Sequence, residues 1–260
     1  MSGSDPWERL ARLTPARIGL GRAGAALPTR EVLRFALDHA RARDAVHAPL
    51  DVEALAAALA ALGHGVLQVE SAAPDRATYL RRPDLGRQLS EASRGGLASR
   101  ERSPVDLAVL VADGLSAAAV QAHAAPLMAA LAPWIARSGW TLAPVVVARQ
   151  GRVALGDEVG ELLRARMVVV LLGERPGLSS PDSLGVYLTF GPRAGRSDAE
   201  RNCISNVRPA GLSYDLAAFK LAWHLTEGLR LGLTGVGLKD ESDLARLEAN
   251  VSDPRLPRTP

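Results

Sequence analysis

Aromatic residues are scarce, at 4% of 260 residues, and cysteine is nearly absent, with Cys203 alone. The first scarcity argues against a stacking platform for nucleic-acid bases. The second excludes an internal disulfide framework and points to a reducing compartment. No Cys/His spacing of a zinc site occurs, and His39, His47, His64, His123 and His224 contain no i, i+4 pair suited to a metal. Charge of one sign is missing too: 31 Lys and Arg face 28 Asp and Glu, and no run of five or six like charges appears. Arg81-Arg82 and Arg164-Ala-Arg166 therefore read as solvated helix faces, and nucleic acid is not an expected partner. No window reaches about 18 uninterrupted apolar residues, and Met1 to Trp7 holds no apolar signal core, so neither a membrane span nor export is expected. The expectation is a soluble cytoplasmic protein.

What is present is a hydrophobic content of 47%, enough for a sizeable core. Thr29 reads as the N-cap of a helix over EVLRFALDHARARDAV, and Asp51 as the cap of a second over VEALAAALAALG, closed by Gly63. Val66 to Val69 reads as a short strand, and Ala77 to Ser93 as a helix interrupted at Pro83. The rhythm changes after the polar stretch Ser93 to Ser103. Asp106 to Val111 is an unbroken apolar run that ends in Asp113-Gly114 and leads into a long Ala-rich helix from Ser116. Strands over Leu142 to Ala148, Met167 to Leu172 and Leu184 to Phe190 follow, with a helix over Leu155 to Arg166 between the first two and a last helix over Ser213 to Leu231. Alternating strands and helices predict an α/β fold: a Rossmann-like layered domain with a parallel sheet over 101–260, preceded by a helical region over 1–100. The tail beyond Asp240, with Pro254, Pro257 and Pro260, reads as mobile at its end.

The block from Gly173 to Asn206, GERPGLSSPDSLGVYLTFGPRAGRSDAERNCISN, is the richest in chemistry. It sets backbone amides, hydroxyls and charges at the carboxyl end of a strand, where open α/β sheets bind ligands. Glu174-Arg175 is either a local ion pair or a ligand-facing carboxylate. Cys203, beside Arg201, is either a reactive thiolate or a small apolar residue in a packed loop. Two other motifs lack their context. Gly19-Leu-Gly21-Arg-Ala-Gly24 fits the dinucleotide pattern by letter, but no strand precedes it and Pro28 follows. Ser116 sits at a strand-to-helix turn without the second glycine of a nucleophile elbow, and reads as a helix cap.

Several ordered motifs, WERLARLTPARIGLGRAGAALPT, RATYLRRPDLGRQLS, ADGLSA, QGRVALGDE, the Gly173 to Asn206 block and TGVGLKD, together resemble the small subunit (light chain) of ethanolamine ammonia-lyase. The resemblance covers nearly the whole chain. It implies a hetero-oligomer in which a separate large subunit, a β/α barrel, carries substrate and catalytic residues, while the small subunit helps hold adenosylcobalamin at the boundary. It implies radical conversion of ethanolamine to acetaldehyde and ammonia, with no catalytic side chain on this chain and no activity without the large subunit. The family's cobalamin-contacting positions carry over to Val153, Glu174 and Cys203, and Arg175 and Asp113 join them on position at the same sheet edge. No histidine here stands in Asp-x-His-x-x-Gly, so the cofactor is expected base-on. On this reading residues 1–100 form an arm or cap at the subunit interface, and 101–260 the cobalamin-contacting domain. Family members associated with a protein-shelled microcompartment carry an N-terminal leader, whereas Met1 to Pro6 alone precede the matched motifs. Cytoplasm is thus the expected location, with a bacterial microcompartment as the alternative.

Overall fold

A computed structural model describes residues 6–14, 16–100 and 103–244. At its centre lies a six-stranded sheet of β1 (Val66–Glu70), β2 (Val105–Ala112), β3 (Val145–Arg149), β4 (Ala165–Gly173), β5 (Leu184–Phe190) and β6 (Arg201–Val207), in the spatial order β1-β3-β2-β4-β5-β6. The strands form because both faces are covered. Along β2, Leu107, Val109 and Val111 enter one core while Ala108, Leu110 and Ala112 enter the other. This alternation of faces explains an apolar run without polar interruption.

Among the described residues eight α-helices accompany the sheet: α1 (Pro6–Ala11), α2 (Thr29–His47), α3 (Val52–Ala61), α4 (Arg76–Arg81), α5 (Glu91–Ala98), α6 (Ala117–Ser138), α7 (Leu155–Leu162) and α8 (Tyr214–Leu231). Residues of α3, α6 and α8 pack on one face, and α5 and α7 supply the other. By length and composition α6 resembles a membrane span. Its Val120, Leu127, Met128 and Leu131 are nevertheless buried in the core, and it packs on α8.

The fully parallel sheet expected from the strand pattern is not found. β1, β3, β2 and β4 run parallel, but β5 is antiparallel to β4 and β6 antiparallel to β5. The cause lies in the connections. A parallel return needs a crossover long enough for a helix, and residues 174–183 contain none, so the chain folds straight back. β6 also replaces part of what reads in sequence as a polar loop. β1, from the first hundred residues, is an edge strand of this same sheet. Smaller differences follow local chemistry: Thr29 is the first helical residue of α2, with Pro28 at the cap position and no side-chain cap. α7 stops at Leu162, because Ala165 already pairs with Val105 in β4. The tail expected to be mobile lies, from residue 245 onward, outside the described residues.

Candidate functional site

β2 and β3 feed helices on opposite faces, α6 and α7, which opens a crevice at their carboxyl ends. Two glycines shape its rim. A Cβ on Gly114, whose φ is +54°, would stand 2.2 Å from the Gly173 carbonyl oxygen, and one on Gly173 would stand 2.1 Å from that of Ser116. The ends of β2 and β4 therefore touch backbone to backbone, with the Leu115 amide donating to the Gly173 carbonyl at 2.8 Å. Beside this contact lies a cleft of about 800 Å³. Grooves of about 430 Å³ along β1 and about 450 Å³ beneath the N-terminal segment are smaller.

Four of the five residues singled out in the sequence line this cleft together: Val153, Glu174, Arg175 and Cys203. They come from separate segments, the turn before α7, the end of β4 and the middle of β6. Glu174 is held at one oxygen, where Ser183 Oγ donates to Oε2 and the Asn206 amide approaches at 3.4 Å. Its Oε1 has no partner among the described residues and is an open acceptor. Arg175 is exposed and forms no ion pair with Glu174, so the local pair does not form.

Asp113 is not brought to the surface of the cleft. It is buried beneath, accepting from the Gly151 amide at 3.1 Å, with Arg76 Nη1 at 3.6 Å. Burial pushes its carboxyl up, against the opposing pull of the Gln150 amide, Arg76 and the Gly151 amide. It fixes the turn that presents Val153.

Cys203 is exposed as a residue, yet its sulfur lies against Tyr187, and Ser205 Oγ is 3.3 Å away. Desolvation holds the thiol above its ordinary value, with the Ser205 and Tyr187 hydrogen bonds opposing. Arg201 does not activate it. All five N–H donors of that guanidinium are engaged, by both oxygens of Asp157, Asp198, Thr189 Oγ1 and the Arg196 carbonyl. Burial works against the Arg201 cation, and Asp157 and Asp198 outweigh it. Burial likewise raises Asp157, but two parallel hydrogen bonds at 2.6 and 2.7 Å favour the ion pair, since a neutral acid would leave a buried guanidinium unbalanced.

Ser116 caps α6, its Oγ accepting from the Ala119 amide at 3.2 Å and donating to the Pro181 carbonyl at 2.9 Å. That hydroxyl is a structural tie between α6 and the loop after β4. The Gly19 to Gly24 segment follows no strand, and no group of three His, Cys, Asp or Glu placed to hold a metal occurs among the described residues.

Residues 4–239 match the family model described as ethanolamine ammonia-lyase light chain (EutC). The chain belongs to that family. Ethanolamine ammonia-lyase small subunits of three bacteria are similar to it over nearly their whole length. That of Ralstonia nicotianae is 57% identical over 248 residues, 94% of this chain and 92% of the relative. That of Azotobacter vinelandii is 56% identical over 257 residues, 96% and 94%. That of Bradyrhizobium diazoefficiens is 60% identical over 234 residues, 90% of each.

In this light chain the cleft also contains residues that strand-end reasoning passed over: Tyr79, Arg87, Arg152, Tyr187 and Arg196. Tyr79 arrives from α4 in the first hundred residues and donates to the Gly151 carbonyl at 3.1 Å. Burial lifts its phenol to about 12, against the Arg152 cation, so it stays a neutral donor. A signal existed in RATYLRRPDLGRQLS, where a tyrosine and arginines recur between Pro74 and Pro83. Nothing in that spacing pairs it with a turn seventy residues away.

Proposed function

We propose that this cleft is the small subunit's half of a base-on adenosylcobalamin site, closed by the large subunit of an ethanolamine ammonia-lyase that is active only as the complex. When bound, the cofactor supplies a cobalt–carbon bond whose homolysis yields the radical that drives conversion of ethanolamine to acetaldehyde and ammonia. The observation that carries the reading is the convergence of Val153, Glu174 and Cys203 on one open cleft. The donor set fits the group. Glu174 Oε1 offers an acceptor to corrin amides, while Val153, Leu115 and Leu172 offer apolar surface to the ring. The described residues that line the cleft include no histidine, in keeping with a base-on cofactor that would bring its own nucleotide base. These side chains bind, orient and exclude water, and none is placed to act as nucleophile or base.

Exposed Trp7, Leu13, Val32, Leu33, Phe35 and Leu37, all within the first forty residues, support an arm that meets the large subunit. The working location on this reading is the cytoplasm, or a microcompartment within it. Glu174→Ala in the co-expressed complex should weaken cobalamin binding about tenfold while leaving subunit association intact. Unchanged affinity would count against Glu174 as a contact, and acetaldehyde release by this chain alone would contradict the division of labour.

A further inference from the structure

Arg152, half-buried in the cleft wall, differs from Arg76 and Arg201 in having no acceptor on any nitrogen among the described residues. Its Nε is sealed from solvent without a hydrogen-bond partner. Among the described residues the group makes no hydrogen bond and no ion pair, and it stacks on the Tyr79 ring at 4.3 Å. Arg76, on the same ring at 4.8 Å, also leaves a sealed Nη2 unmet, but its Nε and Nη1 donate to the Val46 and Gly114 carbonyls and it faces Asp113. Arg201 has no donor left. A sealed Nε left unmet is costly, and an arginine held by stacking yet unpaired is suited to an anion with several oxygens, such as a phosphate, that it can grip through two N–H groups.

A second cation shares the wall. Arg87 lines the cleft, is exposed and has no partner among the described residues. The Arg152 amide donates to the Gly86 carbonyl at 2.7 Å, so the two arginines stand on adjoining backbones. Tyr79 between Arg76 and Arg152 is neutral and adds no counter-charge.

On the cobalamin reading of the cleft, the anionic group at the cofactor's periphery is the phosphodiester of its nucleotide tail; the corrin side chains are neutral amides. We infer that Arg152, assisted by Arg87, binds that phosphodiester, while Glu174 serves the amides. The side that holds the tail is then the side built from α4, the turn at Gly86 and the start of α7.

The test uses the complex with the large subunit and two probes: cyanocobalamin, and cobinamide, which lacks the nucleotide tail. Binding is followed by corrin absorbance. Arg152→Gln should weaken cyanocobalamin binding about tenfold or more and Arg87→Gln by a smaller factor, both leaving cobinamide affinity unchanged. Arg87 is exposed, so its variant decides the matter if Arg152→Gln fails to assemble. Equal losses for both corrinoids, or no loss for cyanocobalamin, overturns the assignment and leaves the cofactor reading standing. A wild-type complex that binds neither corrinoid overturns both.

Discussion

Arg201 and Arg152 bring the same side chain to one cleft and end in opposite states, and the difference is a count of acceptors. Among the described residues five acceptor contacts surround Arg201, and Arg152 has none, its Nε being sealed and unmet. Removing the Arg201 head group leaves Asp157 buried and uncompensated, so Arg201→Ala should destabilise the chain by about 3–5 kcal/mol in urea unfolding. A loss below about 1 kcal/mol would mean that water reaches Asp157 in the variant. The paired change Arg201→Met with Asp157→Leu should recover much of the loss, because neither charge is then stranded. Cys203 carries a related expectation. With its thiol raised by desolvation and the neighbouring Arg201 fully engaged, alkylation by iodoacetamide at pH 7 should be slower than for free cysteine. A rate equal to or above that of the free amino acid would reinstate the reactive-thiolate alternative.

Elements were legible where burial is two-sided or where a cap is explicit. β2, β4 and β5 announce themselves as apolar runs, and Ser116, Asp51 and Ser213 each accept from a backbone amide three residues on, as N-caps do. β6 was illegible because it lies at the sheet edge and its polar residues, Arg201, Asn202, Ser205 and Asn206, match a loop composition. Its place in the sheet comes from pairing with β5, which sequence spacing does not encode. The candidate site divides the same way: Glu174 was readable at a strand end and Val153 through the family resemblance, but Arg152 and Tyr79 meet only through the tertiary fold. The connection into β6 has its own pH signature. Glu200 closes the turn with Ser197 and pairs with Arg196 at the cleft rim. The Ser197 amide, then Arg196 and the Ser197 hydroxyl, hold its carboxyl at about 2, below the ordinary 4.5. A depressed acid stabilises the fold above its unfolded pKa, and that contribution fades as pH falls through the folded value. The Ser197 amide resonance should therefore titrate near pH 2 and lose that titration in Glu200→Gln; a midpoint near 4.5 would show the turn is not formed in solution.

For the whole molecule, the central question is what the N-terminal segment is for. α2 spans 19 residues and buries only Ala45, while Leu33 and Leu37, one turn apart, are 64% and 50% exposed. A helix gains most of its stability from packing an apolar face, and this one has almost none to pack against within the chain. Single exposed apolar residues are ordinary on a protein surface, but eight among the described residues of the first forty form a surface suited to a partner. A small subunit implies one, and the arm holds most of the exposed large apolar side chains among the described residues. Leu33→Glu combined with Leu37→Glu should change the unfolding free energy of the isolated chain by no more than about 0.5 kcal/mol, since neither side chain is in the core. The same double variant should weaken association with the large subunit about tenfold or more in sedimentation equilibrium, by setting charges against an apolar contact. Association at wild-type strength would place the large subunit on another face and leave the arm without its proposed role; a loss of fold in the isolated chain would show that α2 belongs to the core.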